Sequence, residues 1–452
     1  MSHTVHGKRG WPPTWIAAAW LVVSLTIAPL PASAQAQRKA VPKAPTSRET
    51  EDPLAPLLQQ AKDSMDKMDF AAALEPLQKY IAQRPEDPYA HFQLGYCYAG
   101  LKRSEDAKSE FSRAIALDPK MAAAHLNLGL VLMDTDPAAA AQAFRDTAEL
   151  QPTESRPRFL AGFSLERSGK FPEAIEQYRA ALALSPKDYE AHFALGRVLL
   201  RAGDAAEAEA QFREAVAVRG DSAPAHLGLA NALLAEKKNQ AAADALDEYL
   251  KLTPGDRAAR FDRASALFDL DRFDEALAEL DRADAGTARG AETLKMRGDI
   301  YMQQKKWKEA GETLTQAIRL SPQDAELAAW IGHVDIELRD YPAAINILGQ
   351  VVKQNPQSAG ALSDLINAFF LHEDYSATIG AMDQLAKMEP PKPASWFVRA
   401  ICYDKLSQKA AAVEAYQKFL DQDNGQHDTE DFQARHRILT LQGELGKSAK
   451  KR

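Results

Sequence analysis

The sequence predicts an all-α fold of about eleven stacked helix-turn-helix units. A small residue, an alanine twelve positions later and a proline a further twelve positions on recur every 34 residues. Three clear copies are Gly95, Ala107 and Pro119; Gly162, Ala174 and Pro186; and Gly298, Ala310 and Pro322. A fixed period of this length is typical of a repeat array. The copies extend from about residue 54 to about residue 426, so nearly the whole chain is predicted to form one scaffold.

Each repeat has the pattern of two helices. Between Pro88 and Met121, two runs of apolar residues with helical spacing flank a short polar connection. Ser104 in this connection is predicted to be the N-cap of the second helix, and Asp118 and Pro119 are predicted to end that helix. The repeats are predicted to begin near residues 54, 88, 122, 155, 189, 223, 257, 291, 325, 359 and 393.

Two positions in each repeat are small. The eighth residue of a repeat is glycine or alanine in every copy except the one that carries Ile366, and the twentieth is alanine in every copy except the one that carries Thr378. Glycine inside a helix costs roughly 0.5 to 1 kcal/mol relative to alanine, so its recurrence predicts a close approach of the two helices. Large side chains at these positions would push the two helices apart.

These residues, at these offsets, resemble the tetratricopeptide repeat. The segments Phe171 to Ile175 and Trp307 to Ala310 are similar to the central stretch of that family's repeat. The resemblance covers residues 54–426. It implies a right-handed superhelical solenoid in which the first helices of the repeats line a concave groove.

Three parts of the chain depart from the regular pattern. The third repeat is one residue short around Asp134 to Pro137, and the repeat from 257 to 290 ends in the soft segment 285–290. This segment predicts a hinge, with a longer loop of no mechanical role as the alternative. Residues 427–446 are predicted to form a capping helix with one apolar face, and residues 447–452 a basic tail. The residues assigned to the apolar face are Phe432, Ile438, Leu439 and Leu441.

The amino terminus has the features of an export signal. Lys8 and Arg9 precede an uncharged stretch, and Ala32 and Ala34 form a small-x-small cleavage pattern. We therefore predict a signal peptide at 1–34 and a flexible linker at 35–53. The alternative is an uncleaved membrane anchor, which would be the only membrane contact. The expected location is periplasmic or outer-membrane-associated in a Gram-negative bacterium.

The charge balance and the cysteine content of the chain limit the classes of function that it can have. The chain has 55 Lys and Arg against 63 Asp and Glu, and the acidic excess argues against a nucleic-acid partner. Its two cysteines, Cys97 and Cys402, are predicted to be buried structural thiols. We expect no cofactor, no metal and no enzymatic activity, because the sequence contains none of the common phosphate-binding, nucleophile or metal-ligand motifs.

Four histidines stand at equivalent positions of their repeats. They are His91, His125, His192 and His226. Recurring histidines raise the possibility of a metal site or a pH sensor. Their spacing of one per repeat, on helices roughly 10 Å apart, favours a packing role instead.

A column of residues on the first helices is the candidate binding groove. It is apolar in the earlier repeats and polar in the later ones, and packing between helices is the alternative role of its rings. The predicted groove residues are Phe92, Tyr96, Leu126, Phe159, Phe163, Phe193, Leu227, Phe261, Lys295, Asp299, His333 and Asn367. Such a groove suits an extended segment or an amphipathic helix.

The predicted function is a non-catalytic protein-protein interaction scaffold in the cell envelope. Its partners would be proteins of an envelope assembly. The alternative is a peptidoglycan- or polysaccharide-associated carrier or regulator that uses Trp330, Tyr301 and neighbouring polar residues.

Overall fold

The computed structural model describes residues 52–286, 289–423 and 425–449, without the side chains of 447–449. These residues form 23 α-helices and no strand, which confirms the predicted all-α class. The predicted signal peptide at 1–34, the linker up to residue 51 and residues 450–452 of the basic tail lie outside the described residues. None of the helices described here combines the length and the apolar character needed to cross a bilayer.

The chain divides into two compact bodies, Met1–Pro254 and Gly255–Arg452. The described part of the first body contains α1 (Ala55–Asp66), α2 (Phe70–Gln83), α3 (Pro88–Gly100), α4 (Ser104–Leu117), α5 (Ala122–Leu132), α6 (Pro137–Leu150), α7 (Ser155–Arg167), α8 (Phe171–Leu184), α9 (Tyr189–Ala202), α10 (Ala205–Val218), α11 (Ala223–Ala235) and α12 (Asn239–Leu252). Six helix pairs thus follow one another in this body.

The second body contains five pairs and one further helix. Its helices are α13 (Arg257–Phe268), α14 (Phe273–Asp284), α15 (Ala291–Gln303), α16 (Trp307–Leu320), α17 (Ala325–Glu337), α18 (Tyr341–Gln354), α19 (Ala359–Leu371), α20 (Tyr375–Leu385), α21 (Pro393–Lys405), α22 (Lys409–Asp423) and α23 (Asp428–Ala449). Within each body, the two helices of a pair pack together, and the second helix of a pair packs on the first helix of the next. We number the pairs as repeats 1 to 11.

The turn between the two helices of a repeat has a fixed geometry. Ten of the eleven turns contain one residue with positive φ, at equivalent positions; the third repeat, one residue shorter, has none among the described residues. Glycine fills this left-handed position only at Gly169 and Gly203. The prediction that Ser104 caps α4 is wrong, because α4 begins at Ser104 itself and the N-cap is Arg103, which makes no side-chain cap. The predicted end of α4 at Asp118 is confirmed.

A small residue on the first helix packs against a large buried residue on the second. A Cβ added to Gly332 of α17 would lie 2.5 Å from Leu348 Cγ of α18, and the Leu348 side chain is fully buried. The same contact joins Gly95 to Phe111 and Gly162 to Tyr178. The close approach predicted from the recurring small residues is therefore present within these repeats.

Buried charges connect the carboxyl-terminal part of α14 to α13 and to α15. The Glu279 carboxylate is 1% exposed and pairs with Arg260 at 2.9 Å and with Arg282. Asp284, the last residue of α14, pairs with Arg297 of α15 at 3.4 Å. Residues 287 and 288 of the predicted hinge lie outside the described residues, so the hinge stays a prediction.

The capping helix divides its apolar residues between two faces. Ile438 and Leu441 of α23 are buried against α22, as predicted, but Phe432 is 72% exposed and Leu439 is 70% exposed. The prediction that all four face the body is wrong. Ile438 and Leu441 share one side of the helix, whereas Phe432 and Leu439 are seven residues apart and share another.

We predict opposite effects for two glycine-to-alanine substitutions in repeat 9. Gly332→Ala should lower the free energy of unfolding by about 1 to 3 kcal/mol, because the new methyl group collides with the fully buried Leu348. Gly349→Ala, in the interior of α18, should raise it by about 0.5 to 1 kcal/mol, because nothing lies within 4 Å of the added Cβ. Urea unfolding followed by circular dichroism measures both, and equal shifts of the two variants would contradict the packing role of Gly332.

Candidate protein-interaction surface

The structure buries three aromatic rings of the predicted groove. Phe92, Phe159 and Phe193 are 3%, 6% and 7% exposed. Each packs on a ring of the second helix in its own repeat; the centroid of Phe92, for example, lies 5.8 Å from that of Phe111. These rings present almost no surface to a partner, which supports the packing alternative for them. Their contribution to binding stays a prediction.

The remaining apolar groove residues are only partly buried. They are Tyr96, Leu126, Phe163, Leu227 and Phe261. The Tyr96 ring meets Phe70 edge-on, with the centroids 5.9 Å apart, so it also joins neighbouring repeats. All five lie on first helices, where the sequence places them.

The four equivalent histidines hydrogen-bond to the turns that precede their helices. All four are buried, and each Nε2 lies within hydrogen-bond distance of the carbonyl oxygen six residues earlier. Because a carbonyl only accepts, Nε2 carries a proton in each case. The carbonyl partners of His91, His125, His192 and His226 are those of Pro85, Pro119, Pro186 and Gly220 at 3.0, 3.1, 3.0 and 2.9 Å. This geometry gives the histidines a packing and turn-closing role.

In the second body, polar residues of the first helices form a cluster across α15, α17 and α19, in which Lys295 of α15 contacts α17 and its N-cap, and His333 of α17 contacts α19. We call it the Lys295 cluster; its members are Lys295, Asp299, Asp324, Glu326, Trp330, His333 and Asp364. The Lys295 ammonium donates to Glu326 at 2.6 Å and to Asp324 at 3.1 Å, and it lies 5.2 Å from the centre of the Trp330 ring. Lys295 thus links the first helices of repeats 8 and 9.

Burial and neighbouring charges shift the pKa values of Lys295 and Asp299 in this cluster. Burial opposes the charge of Lys295 most strongly, but hydrogen bonds to Glu326 and Asp324 outweigh it and raise the pKa of the ammonium. Burial, with repulsion from Glu326, raises the pKa of Asp299 above its usual value. Lys295 therefore stays charged at neutral pH.

His333 links the cluster to repeat 10. Its Nδ1 lies 3.4 Å from Asp364 Oδ2, and its ring meets Trp307 edge-on at 6.0 Å. The hydrogen bond to Asp364 is the main cause of a raised pKa for His333. Asn367, the last predicted groove residue, is exposed on α19 and joins no described hydrogen bond of the cluster.

Sequence reasoning found four members of the Lys295 cluster and missed three. Lys295, Asp299 and His333 were predicted groove residues, and Trp330 belonged to the alternative function. Asp324, Glu326 and Asp364 were missed, because they occupy other positions of their repeats. The position of repeat 9 that is equivalent to Lys295 is Ala329, and Glu326 lies three residues before it, so alignment of the repeats alone does not pair Glu326 with Lys295.

The cluster is suited to recognition. It combines partly exposed aromatic and imidazole faces with carboxylates that outnumber the cations. Among the described residues, no group of three or more His, Cys, Asp or Glu side chains is arranged to hold a metal ion. Carboxylates beside aromatic faces bind the ammonium and guanidinium groups of lysine and arginine side chains.

Family models match the sequence along most of the chain and thereby show its family. Models described as tetratricopeptide repeat match residues 88–121, 159–225, 197–257, 227–291, 261–325, 301–368 and 372–427. The chain belongs to the tetratricopeptide repeat family. Tetratricopeptide repeats typically form non-catalytic modules for protein-protein interaction, so membership supports an interaction scaffold. A search of curated protein sequences gave no match.

Solved tetratricopeptide repeat structures are similar to parts of the chain. YrrB, described as a TPR protein with an unusual peptide-binding site, is 21% identical, with 40% of this chain and 95% of YrrB covered and a TM-score of 0.37. The C-terminal part of a TPR repeat-containing protein from Cytophaga hutchinsonii is 16% identical, with 60% and 98% covered and a TM-score of 0.41. Yeast Tom70 is 12% identical, with 87% and 96% covered and a TM-score of 0.33.

We predict that Asp364 sets the protonation of His333. In the Asp364→Asn variant the pKa of His333 should fall toward its ordinary value of about 6.5, because the charged acceptor is lost. Below a pH equal to the ordinary pKa of histidine, the pair of His333 and Asp364 stabilises the contact of α17 with α19. This contribution is lost as the pH rises through the raised pKa of His333.

An NMR titration of ¹⁵N-histidine-labelled protein measures this pKa, with the signal assigned by His333→Gln. Glu373→Gln removes an exposed carboxylate just after α19 and serves as the control. An unchanged titration of His333 in Asp364→Asn would contradict the assigned cause.

Proposed function

We propose that this protein is an exported scaffold that binds a peptide segment or helix on the first helices of repeats 8 to 10. Membership of the tetratricopeptide repeat family supports protein-protein interaction. The observation that carries the choice of surface is the Lys295 cluster, which joins three first helices through side chains that a partner can still reach. The Lys295 side chain, for example, retains 23% of its exposure and that of His333 38%.

The charge of the cluster selects the partner segment. Asp324 and Glu326 share one cation, Lys295; Asp364 adds a carboxylate beside His333, and Asp299 adds an acidic group close enough to interact with Lys295 and Glu326. A segment with lysine or arginine would meet these carboxylates and the Trp330 face together. The segment would bind in extended or helical form along the first helices.

The proposal that the protein acts in the cell envelope depends on its amino-terminal segment. Lys8 and Arg9, the uncharged stretch and the Ala32 and Ala34 pattern support export of the chain. In that compartment the scaffold would hold one or more proteins of an envelope assembly.

The alternative, a carrier of peptidoglycan or polysaccharide, would use the same surface. Trp330 and Tyr301 are partly exposed aromatic residues among polar side chains. Their faces suit sugar rings as well as peptide side chains, so one experiment must compare both ligands.

A peptide selection with matched variants tests the surface. We expect peptides selected by display on the purified protein to carry lysine or arginine. Trp330→Ala and Glu326→Gln should each weaken their binding about tenfold or more, since about 1.4 kcal/mol of contact energy is a factor of ten. Lys308→Ala, on the exposed side of second helix α16, should leave binding within twofold.

Fluorescence polarisation measures these affinities, and circular dichroism confirms that each variant remains helical. If neither Trp330→Ala nor Glu326→Gln changes the affinity for the selected peptides, the proposed location of the binding surface is wrong. Saturable binding to purified peptidoglycan or polysaccharide that is lost in Trp330→Ala, without peptide binding, would favour the carrier instead.

The export proposal has its own measurement. Expression of the complete chain in a Gram-negative host should yield periplasmic protein whose intact mass corresponds to a chain that begins at Gln35. Retention of Trp11, Trp15 and Trp20 in a membrane-bound protein would indicate the uncleaved anchor. Cytoplasmic protein with its full mass would refute export.

A further inference from the structure

The carboxylate of Asp364 in the Lys295 cluster is paired with a histidine. The Nδ1 atom of His333 lies 3.4 Å from Oδ2 and 3.5 Å from Oδ1 of Asp364, so the imidazole faces the whole carboxylate. Among the residues that the structure describes, no other charged side chain pairs with Asp364. The charge of this carboxylate is therefore compensated only while His333 is protonated.

Both members of this pair are accessible to a partner. The side chains of His333 and Asp364 retain 38% and 31% of their exposure. They lie on α17 and α19, the first helices of repeats 9 and 10, within the surface proposed to bind a basic segment. A lysine or arginine of that segment can therefore reach Asp364.

Protonated His333 and the cation of a partner require the same carboxylate. While His333 is charged, Asp364 already has a cationic partner, and the imidazolium repels a second cation. When His333 is neutral, it can donate at most an uncharged hydrogen bond, which is roughly half as strong as a charge-assisted one. The negative charge of Asp364 is then open to the partner.

The groups that face His333 favour its charged form. Asp364 faces it from α19, Glu337 lies one turn further along α17, and Trp307 of α16 presents an aromatic edge. The hydrogen bond to Asp364 is the largest cause of the raised pKa of His333, and burial opposes it. His333 is therefore half protonated at a pH above about 6.5, the ordinary pKa of histidine.

Asp299 acts in the same direction at lower pH. Its Oδ1 accepts a hydrogen bond from Gln303 at 3.3 Å, but burial and the charge of Glu326 raise its pKa. Asp299 therefore becomes neutral at a higher pH than an exposed aspartate. The loss of its negative charge also weakens the attraction of the cluster for a cation.

We propose that His333 competes with the partner for Asp364, so that the Lys295 cluster binds a basic segment more tightly as the pH rises and releases it in mild acid. This competition rests on the function proposed above. The lysine and arginine side chains of the partner keep their charge across the neutral range. Because the coupling is reciprocal, binding of the segment must also favour the loss of the His333 proton.

A titration of peptide affinity against pH tests the competition. The probe is a display-selected peptide that contains lysine or arginine, lacks His, Asp and Glu, and is blocked at both ends. Fluorescence polarisation from about pH 5.5 to about pH 8.5 should show binding to the unaltered chain that is about fivefold tighter at the upper end, a change of the size that one exposed ion pair contributes.

Two substitutions should separate the roles of the competing groups. His333→Gln should bind at about the alkaline affinity of the unaltered chain, because the competing cation is absent. Asp364→Asn should bind at about its acid affinity, because the contested carboxylate is absent. Both should lose the pH dependence near neutrality, whereas His372→Gln, which replaces an exposed histidine just after α19, should keep it.

Calorimetry provides a second measurement of the same coupling. In two buffers of different ionisation enthalpy near pH 7, peptide binding to the unaltered chain should release a fraction of a proton. His333→Gln should release none. Circular dichroism confirms that each variant remains helical.

The outcomes separate this proposal from the proposed binding surface. A pH dependence near neutrality that persists in His333→Gln would overturn the competition. Binding by the unaltered chain that does not change with pH, yet is still weakened by Trp330→Ala, would overturn the competition and leave the binding surface intact. If no peptide binds at any pH, or if Trp330→Ala and Glu326→Gln have no effect, both proposals are wrong.

Discussion

The contact of a small residue on the first helix with a large residue on the second is the constraint on which each repeat depends. It brings Gly332 against Leu348 and Gly95 against Phe111, with no room for a further methyl group. The contact recurs in repeats 2, 3, 4, 5, 8 and 9, so in each of these repeats the first helix approaches the second at the same small residue. Residues at equivalent positions of adjacent repeats are therefore neighbours within a body. Residues of similar polarity at such positions form one continuous surface across several repeats.

The same constraint explains why the aromatic column of the early repeats is buried. Phe92 lies next to the point where the helices approach closely, and the large partner Phe111 offers it an aromatic surface within the repeat. A ring at this position gains more from burial in the repeat than from exposure to water. At the equivalent position of repeat 8 the residue is Lys295, which cannot be buried without a counter-charge. It turns to Asp324 and Glu326 of the next repeat, and a polar surface results.

Helix α23 illustrates the demands on the last helix of the described chain. A terminal helix must cover the apolar side of the preceding repeat, and α23 does so with Ala434, Ile438 and Leu441. It also carries Phe432 and Leu439 outward, which covering the repeat does not require. Phe432 and Leu439 thus remain exposed, whereas the turn-closing histidines such as His91 are buried within their repeats.

The sequence by itself determined the fold class and the helix-turn-helix repeat, because these depend on local periodicity and on residue size at a fixed period. It also placed Lys295, Asp299 and His333 on first helices, where they lie. Tertiary structure decided which of the predicted groove residues are accessible, since the burial of Phe159 and Phe193 depends on the rings of Tyr178 and Phe212, each nineteen residues further along the chain. It alone brought Asp324, Glu326 and Asp364 to the cluster and separated Leu439 from Ile438 on α23. These outcomes depend on contacts between repeats and on the rotation of each helix, which no pattern within a single repeat specifies.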